Sequence, residues 1–334
     1  MIKIAINGFG RIGRLVLRKI LESNSSVLDV VAINDLSDSK TLAHLLKYDS
    51  NYGTLKNEIT ADEKNIIIDN KKIIVFSEKD PLNILWKDLN IDIVLECTGV
   101  FTEYEDAKKH LDSGTKKVII SAPSKSKEIP TFILGVNENE YNPVKDNIIS
   151  MGSCTTNCLA PIVKIINDNL IIKKGFMTTC HSYTNDQRIL DLVHKDIRRA
   201  RAAGLNIIPT TTGAASTIGK VIKELDKKLD GIALRVPTST VSILDLIIET
   251  EKSTTKEELN KIFKDSENNL KGILRVEDNS LVSSDFKGDS HSAIIDSQLT
   301  MANDNLIKVV AWYDNEWGYA SRLKEFAEFI GNKI

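Results

Sequence analysis

The sequence predicts an α/β protein of two domains: a domain with a parallel sheet, then an α+β domain whose sheet is largely antiparallel. Three observations carry this prediction. Apolar strands alternate with helical segments through the first part of the chain, which is typical of parallel sheets covered by helices. A glycine-rich turn follows the first strand. Beyond about residue 175, longer strands with partial period-two alternation take over, and 334 residues suffice for roughly two domains.

The composition excludes several classes of protein. Hydrophobic residues make up 42% and charged residues 27% of the chain, as in ordinary globular proteins. The formal net charge of −2 gives no electrostatic reason to expect a nucleic acid or a membrane as partner. No apolar run approaches the roughly 18 residues of a membrane helix, residues 1–8 do not resemble a secretory signal, and four cysteines do not form a disulfide framework. We therefore expect a cytoplasmic protein that binds small molecules or copies of itself.

The first strand, residues 2–6, is apolar except for Lys3 and runs into the motif G-x-G-x-x-G at residues 8–13. A helical segment over residues 15–21 and a second strand over residues 30–33 follow. This is the context of a Rossmann-type dinucleotide-binding domain, because the glycines let backbone N–H groups approach a pyrophosphate at the helix N-terminus. The motif residues assigned to the cofactor are Gly8, Gly10, Arg11, Ile12 and Gly13.

Asp35 follows the second strand at the spacing of a ribose-binding acid. Its carboxylate can accept hydrogen bonds from a ribose diol and would repel a 2′-phosphate, so NAD is predicted over NADP. Leu36 comes next, and no arginine or lysine occurs before Lys40, which supports the same choice.

Two more strands are predicted over residues 91–96 and 117–123, with a helix between them. Thr102-x-x-Glu105 is the pattern of a capping box at the start of that helix, and Gly114 marks its end. Ligands of parallel sheets bind at the carboxyl ends of strands. Three polar or small residues lie at these ends: Thr98, Gly99 and Ser121. Either they only terminate the strands, or they line the cofactor site.

Cys154 lies where an apolar pair at residues 148–149 gives way to a predicted helix that buries residues 162–166. A thiol at a strand-to-helix junction experiences the free N–H groups and the positive end of the helix, which favour the thiolate. Pro161 leaves an alternative, because a proline can mark the true start of a helix. Cys158 follows Cys154 without a second pair of ligands, so the spacing predicts no metal site.

The second domain contains several candidate polar sites. Residues 175–181 predict a strand that delivers His181 to its end. Residues 196–203 are basic and helix-prone, as expected of a solvated face. Residues 209–215 place hydroxyl and N–H groups before a predicted helix over residues 218–229, which suits either an anion or an ordinary helix cap.

Arg235 stands inside an apolar strand, residues 234–238. A buried arginine requires an anionic partner, either a phosphate or a carboxylate, and we favour a phosphate. Helices are predicted over residues 255–264 and 316–330. The further strands are predicted over residues 241–251, 273–276, 292–295 and 306–312.

Three segments carry a resemblance to a known family. SCTTNCLAP at residues 153–161, HSYTNDQ at 181–187 and WYDNEWGY at 312–319 are similar to segments of glyceraldehyde-3-phosphate dehydrogenases. The similarity runs from the first strand to the last helix. It implies an NAD-binding domain, a catalytic domain and a C-terminal helix that returns to the NAD-binding domain, at residues 1–153, 154–315 and 316–334.

The resemblance implies a phosphorylating oxidation of glyceraldehyde 3-phosphate by NAD to 1,3-bisphosphoglycerate, a step of glycolysis. Cys154 is the expected nucleophile, which carries the acyl group as a thioester, and His181 is the expected base. Thr184 and Arg235, the latter oriented by Asp186, are expected to bind the substrate phosphate. The residues expected to bind inorganic phosphate are Ser153, Thr155, Thr212 and Gly213.

The resemblance also bears on the cofactor and on assembly. Asn315 is expected to hold the nicotinamide carboxamide, and the three strand-end residues are expected to line the cofactor site. A homotetramer is implied, in which residues 196–203 belong to a long loop at a subunit interface. Two positions depart from the family: residues 151–152 are Met-Gly where Asn-Ala is common, and Val193 stands where NAD-specific members often have proline.

Two other functions remain open on the sequence. An erythrose-4-phosphate dehydrogenase would share the cysteine, the histidine and the cofactor fold, but such relatives differ at residues 183–186 and 211–213. A thiol-based redox sensor that has lost catalysis would lack partners for Cys154, whereas the expected base and arginine are present.

Overall fold

The computed structural model describes residues 1–23 and 25–334. The chain forms two compact units. The first comprises Met1–Phe132, Asn139–Gly152 and Ala320–Ile334, and the second comprises Ile133–Glu138 and Ser153–Tyr319. The predicted α/β class, with one mainly parallel and one largely antiparallel sheet, is confirmed.

The first unit is built on a mainly parallel sheet. The strands of this unit are β1 (Ile2–Asn7), β2 (Leu28–Asn34), β3 (Tyr48–Asp49), β4 (Gly53–Thr54), β5 (Ile59–Ala61), β6 (Asn65–Ile68), β7 (Lys71–Phe76), β8 (Ile93–Glu96), β9 (Lys117–Ile120) and β10 (Ile148–Ser150). Strands β3 and β4 pair with each other in a separate two-stranded sheet. The helices of this unit are α1 (Arg11–Glu22), α2 (Ser39–Lys47), α3 (Trp86–Leu89) and α4 (Tyr104–Asp112). The sheet order is β10-β9-β8-β1-β2-β7-β6-β5, with parallel pairs from β10 to β7 and antiparallel pairs at β6 and β5. The carboxyl ends of β1, β2 and β8 therefore lie side by side.

The start of α4 differs from its prediction. Glu103 occupies the N-cap position without a side-chain bond, so the predicted capping box does not form. Ser126 accepts the hydrogen bond of the Tyr104 N–H at 2.9 Å instead. The hydroxyl of Thr102 is buried, with no hydrogen-bond partner among the described residues. Gly114, at φ +108, does end the helix region as predicted.

The second unit is built on a largely antiparallel sheet. Its strands are β11 (Ile172–Ser182), β12 (Ile208–Thr211), β13 (Leu229–Val236), β14 (Ser242–Thr250), β15 (Leu274–Glu277), β16 (Ala293–Asp296), β17 (Met301–Asn303) and β18 (Leu306–Tyr313). Its helices are α5 (Cys154–Leu170), α6 (Ala214–Val221) and α7 (Lys256–Glu267), and the start of α8 (Trp317–Gly331) also belongs to it. The sheet order is β12-β13-β11-β14-β18-β16-β15, with parallel pairs at β11–β13 and β15–β16.

Helix α5 is held against this sheet by apolar packing. The fully buried side chains of Ile162, Val163 and Ile166 belong to the same core cluster as Leu244 and Phe263. Burying a side chain of this size contributes about 1.5–3 kcal/mol. The packing fixes where the N-terminus of α5 lies relative to the strand ends.

Two predictions for this unit are wrong. The helix expected over residues 218–229 runs instead from Ala214 to Val221. A Cβ on Gly219 would lie 2.8 Å from the Cα of Asp226, so the chain folds back onto the helix there. Residues 196–203, expected to be helix-prone, form turns and a bridge. Within residues 1–23 and 25–334, each helix is too short or too polar to span a membrane.

Candidate active site

The glycine motif forms a tight turn between β1 and α1. Gly8 has φ +89, which favours glycine, and a Cβ there would lie 2.7 Å from the backbone nitrogen of Thr98. A Cβ on Gly13 would lie 2.2 Å from the carbonyl oxygen of Gly8. The turn can lie this close to Thr98, and Gly13 this close to the carbonyl of Gly8, only because both positions are glycine.

A pocket of about 420 Å³ opens beside this turn, which is within the size range of small-molecule sites. It lies at the carboxyl ends of β1, β2 and β8, as expected for a ligand of a parallel sheet. Its lining includes Asn7, Gly8, Gly10, Asn34, Asp35 and Thr98. Other predicted cofactor residues of this unit do not line the pocket in the described part of the chain: Arg11, Ile12, Gly13, Gly99 and Ser121.

Two charged residues of the turn are fixed by hydrogen bonds. Asp35 accepts the backbone N–H of Phe9 at 2.8 Å and that of Ser37 at 3.0 Å, so its carboxylate both holds the turn and borders the pocket. Arg11 donates to the two carboxylate oxygens of Asp49 at 2.5 and 3.3 Å. Burial alone would raise the pKa of Asp49, but the hydrogen bond and charge of Arg11 outweigh it and hold this pKa below its usual value.

Among the residues of the pocket that sequence reasoning missed are Asn7 and Asn34. Each is the last residue of its strand and is buried. Asn34 Nδ2 donates to Asn7 Oδ1 at 2.7 Å. A signal was present, because a polar residue that ends an apolar strand directly before Gly8 or Asp35 must find a partner or a ligand.

Cys154 is the first residue of α5, and Ser153 is its N-cap. Ser153 Oγ accepts the N–H of Thr156 at 3.0 Å, and the Ser153 N–H donates to Thr156 Oγ1 at 3.3 Å, which closes a capping box. The helix continues through Pro161, so the alternative in which proline marks its start is wrong. Gly152, directly before the cap, has φ +62, which glycine adopts without strain. The thiol therefore lies at the positive end of a 17-residue helix.

The imidazole of His181 faces this thiol. Cys154 Sγ lies 3.4 Å from His181 Nε2. On the other side of the ring, Nδ1 lies 2.8 Å from the carbonyl oxygen of Ser182. The carbonyl oxygen can only accept, whereas the guanidinium of Arg235, which also contacts Nδ1, can only donate, so Nδ1 cannot serve both groups at once. With the proton on Nδ1, directed at the carbonyl oxygen, the Nε2 lone pair faces the sulfur. This is the tautomer that can take up a proton.

Arg235 stands opposite His181 in the parallel register of β11 and β13. Its Nη1 contacts Nδ1 of His181 and donates to the carbonyl oxygen of Ser182 at 3.0 Å. Its Nε is buried, with no hydrogen-bond partner among the described residues. A buried donor without an acceptor costs free energy, so the arrangement favours an external anion over a protein carboxylate as the partner of Arg235.

Burial and charge act in opposite directions on the thiol. Burial raises the pKa of Cys154, whereas the positive charge of Arg235 and hydrogen bonds from Thr155 lower it. Burial, followed by the charge of Arg235, lowers the pKa of His181. The burial penalties apply to a lone charge. Once a proton moves from Sγ to Nε2, the two new charges lie within contact distance and stabilise each other.

Asp186 does not pair with Arg235 among the described residues. Its carboxylate accepts a hydrogen bond from Arg199 and lies 3.4 Å from His194 Nε2. Arg199, which the sequence assigned to a solvated face, also donates to Thr210 Oγ1 at 2.9 Å. The positive charges of Arg199 and Arg235 repel each other, and an anion would relieve this repulsion.

The hydroxyl groups predicted to bind phosphate have different surroundings. Thr155 Oγ1 is buried and hydrogen-bonded to Tyr313 at 2.9 Å. Thr212 Oγ1 accepts a backbone N–H at 3.2 Å, directly before Gly213, the N-cap of α6. Thr184 donates its N–H to a glutamine side chain at 3.2 Å. Only the last two threonines are accessible enough to present a hydroxyl to a ligand.

Asn315 follows β18 and is held by two serines. Its Oδ1 accepts hydrogen bonds from Ser182 Oγ and Ser242 Oγ, both at 2.9 Å. This arrangement directs the Nδ2 amide away from the serines, as a donor suited to a ligand carbonyl.

The dinucleotide-type pocket of the first unit and the cysteine–histidine pair of the second define an NAD-dependent oxidoreductase. Comparison with family models agrees with this class. Residues 2–104 match the NAD binding domain of glyceraldehyde 3-phosphate dehydrogenase, and residues 153–315 match its C-terminal domain. The chain therefore belongs to the glyceraldehyde-3-phosphate dehydrogenase family.

Curated relatives resemble the chain over nearly its whole length. Glyceraldehyde-3-phosphate dehydrogenase 2 of Synechocystis is 53% identical over 99% of this chain and 98% of its own. The glyceraldehyde-3-phosphate dehydrogenase of Geobacillus stearothermophilus is 52% identical over 99% of both chains. The chloroplastic glyceraldehyde-3-phosphate dehydrogenase A of Chlamydomonas reinhardtii is 53% identical over 99% of this chain and 89% of its own.

Proposed function

We propose that the protein oxidises glyceraldehyde 3-phosphate with NAD and inorganic phosphate to 1,3-bisphosphoglycerate, through a thioester on Cys154, as a step of glycolysis. The observation that carries this proposal is the 3.4 Å contact between Cys154 Sγ and His181 Nε2, beside the unpartnered Nε of Arg235. A nucleophile, a base and an anion-binding cation thus lie on neighbouring elements of the second unit.

The first half of the reaction depends on the thiol and the imidazole. Cys154 attacks the aldehyde carbon as a thiolate and forms a C–S bond, while the thiol proton passes through His181 Nε2 to the carbonyl oxygen. His181 Nε2 then removes this proton again as the hydride leaves, so that a thioester carbonyl forms. NAD, when bound, supplies the hydride acceptor.

The second half of the reaction releases the acyl group. An oxygen of inorganic phosphate attacks the thioester carbon, the C–S bond breaks, and the thiolate of Cys154 is restored. We assign the substrate phosphate to Thr184 and Arg235, because the arginine has a donor to spare. The residues that we assign to inorganic phosphate are Ser153, Thr155, Thr212 and Gly213.

We assign the cofactor to the motif residues, to Asp35 and to the strand-end residues Thr98, Gly99 and Ser121. The hydroxyl of Thr98 is bonded to Glu96, so Thr98 shapes the pocket with its methyl and backbone groups. Asn315 is assigned to the nicotinamide carboxamide, because its Oδ1 is occupied by the two serines.

A phosphate-dependence assay tests the proposed function. NADH formation from glyceraldehyde 3-phosphate is followed with and without inorganic phosphate. We expect steady turnover with phosphate and, without it, about one NADH for each active site followed by a near stop as the thioester accumulates. Steady, undiminished turnover without phosphate that yields the free acid would contradict the proposal. A higher rate on erythrose 4-phosphate would favour that alternative.

We also propose a homotetramer located in the cytoplasm. The segment from residue 189 to 207 exposes large apolar side chains, and the outer face of the second sheet adds Phe176, Ile232 and Ile247. The most exposed members of the segment are Ile189, Val193, Ile197 and Leu205. Exposed apolar side chains in this number are typical of subunit interfaces. Light scattering after size exclusion tests the tetramer, and a monomer at micromolar concentration would contradict it.

A further inference from the structure

A buried carboxylate of the first unit has no part in the chemistry proposed above. Glu96, the last residue of β8, is 1% exposed. Its Oε1 accepts hydrogen bonds from the N–H and the hydroxyl of Thr98. Its Oε2 accepts hydrogen bonds from Asn7 Nδ2 at 2.5 Å and from His110 Nε2 at 3.1 Å. Burying a carboxylate is costly without such bonds, and here four donors occupy both oxygens.

One end of this network fixes the proton of His110. The indole Nε1–H of Trp86 lies 3.1 Å from His110 Nδ1, and both side chains are fully buried. An indole nitrogen can only donate, so Nδ1 must accept and the imidazole proton must be on Nε2. That proton points at Glu96. Trp86 therefore determines which tautomer of His110 meets the carboxylate.

The other end fixes the amide of Asn7. The backbone N–H of Glu78 donates to Asn34 Oδ1 at 2.9 Å. Asn34 Nδ2 must then donate to Asn7 Oδ1, which leaves Asn7 Nδ2 to donate to Glu96. A backbone N–H at one end and an indole N–H at the other thus set the direction of every hydrogen bond between them.

The network ends at the pocket wall. Asn7, Asn34, Glu78 and Thr98 line the pocket of the first unit, whereas Trp86 and His110 lie behind it in the core. A Cβ on Gly8 would meet the backbone nitrogen of Thr98, so the position of Thr98 also limits the glycine turn.

We propose that Trp86 and His110 are positioning residues for NAD: through Glu96 they hold Asn7 and Thr98 in the arrangement that the pocket presents to the dinucleotide. The inference rests on the dinucleotide site and is independent of the aldehyde chemistry in the proposed function. Without the indole N–H, His110 can carry its proton on Nδ1, and the Nε2 lone pair then faces the carboxylate. Glu96 loses a donor, and the side chains that it holds lose their fixed positions.

Trp86→Phe tests this inference, because it removes the N–H and keeps an aromatic ring in the core. A buried acceptor that loses its donor costs free energy. We therefore expect the dissociation constant of NAD, measured by calorimetric titration, to rise about three- to tenfold. We expect kcat, the KM for the aldehyde and the alkylation rate of Cys154 without cofactor to stay within about twofold. A residue that only stabilised the fold would lower the melting temperature and leave NAD affinity unchanged.

A matched substitution exists in the second unit. Trp312 Nε1 donates to Asp296 at 3.1 Å, so Trp312→Phe makes the same chemical change at a residue that does not line the pocket, and NAD affinity should not change. Glu96→Gln places an amide N–H among donors and should weaken NAD binding further; if that variant does not fold, Trp86→Phe decides the question. NAD affinity of Trp86→Phe within about twofold of the native value would overturn the inference. Direct titration keeps this result separate from any failure of aldehyde oxidation.

Discussion

His181→Asn is the substitution that best tests the Cys154–His181 pair. It removes the base and keeps a polar side chain near the carbonyl of Ser182. The imidazole contacts the sulfur directly, so the variant should lose both the stabilisation of the thiolate and the proton acceptor for the hydride step. We expect kcat to fall by at least about 10²-fold, the size of a general-base contribution.

The distance between the two atoms sets the size of the electrostatic effect. Sγ and Nε2 are 3.4 Å apart. At an effective dielectric constant of about 20, two unit charges at this distance attract by about 5 kcal/mol, which corresponds to about 3.5 pKa units. The cost of charging His181 offsets part of this attraction, because burial and the charge of Arg235 lower the pKa of the imidazole. We expect a remainder of about one to two units to separate the thiol pKa of the native protein from that of the variant.

The rate of alkylation by iodoacetamide as a function of pH measures this difference. The ion pair lowers the pKa of the thiol and raises that of the imidazole, so it forms as pH rises through the first value and disappears as pH rises through the second. The native protein should therefore react at a pH about one unit or more below the variant. NAD affinity and melting temperature, which should not change, are the controls. Identical profiles for the two proteins would refute the pair.

Three further outcomes are expected. Cys154→Ser should abolish activity, whereas Cys158→Ser should keep most of it, because Cys158 is a fully buried thiol whose pKa burial raises well above its usual value; comparable loss in both variants would contradict these roles. Because Asp35 borders the pocket, kcat/KM should favour NAD over NADP by at least about tenfold, or about 1.4 kcal/mol, and equal efficiency would contradict this. The lowered pKa of Asp49 means that its bond to Arg11 stabilises the fold above about pH 4 and is lost as pH falls through that lowered pKa. Asp49→Asn should therefore lower the melting temperature at pH 7 and converge with the native protein in acid.

Local sequence patterns predicted the features whose causes are local. The glycine turn was predictable because Gly8 has a positive φ and lies very close to the backbone of Thr98. Any other residue would be strained or would clash there. Cys154 was placed at a helix start because an apolar strand end, a serine and a helical pattern follow one another in the sequence. Five strands of the second unit, β11, β14, β15, β16 and β18, were found within about three residues, because each is a distinct apolar or partly alternating run. The short strands β12 and β17 were not predicted, and β13 begins at Leu229 and not at residue 234.

Contacts between distant residues were not predictable in this way. The N-terminal N–H of α4 is bonded by Ser126 and not by Thr102, so the local capping pattern failed. The pairing of Asp186 with Arg199 joins two parts of an irregular segment that has no periodicity to read. The hydrogen-bond network around Glu96 joins three strands and two helices, and its members look like isolated residues in the sequence.

The register of the second sheet explains why so few residues determine the chemistry. The parallel pairing of β11 and β13 sets His181 beside Arg235, so the arginine contacts the same imidazole that faces Cys154. Because successive side chains of a strand point to opposite faces, a slip of one residue would turn Cys180 toward the sulfur and His181 away from it. Base, cation and nucleophile are thus positioned together by one strand register and one helix start.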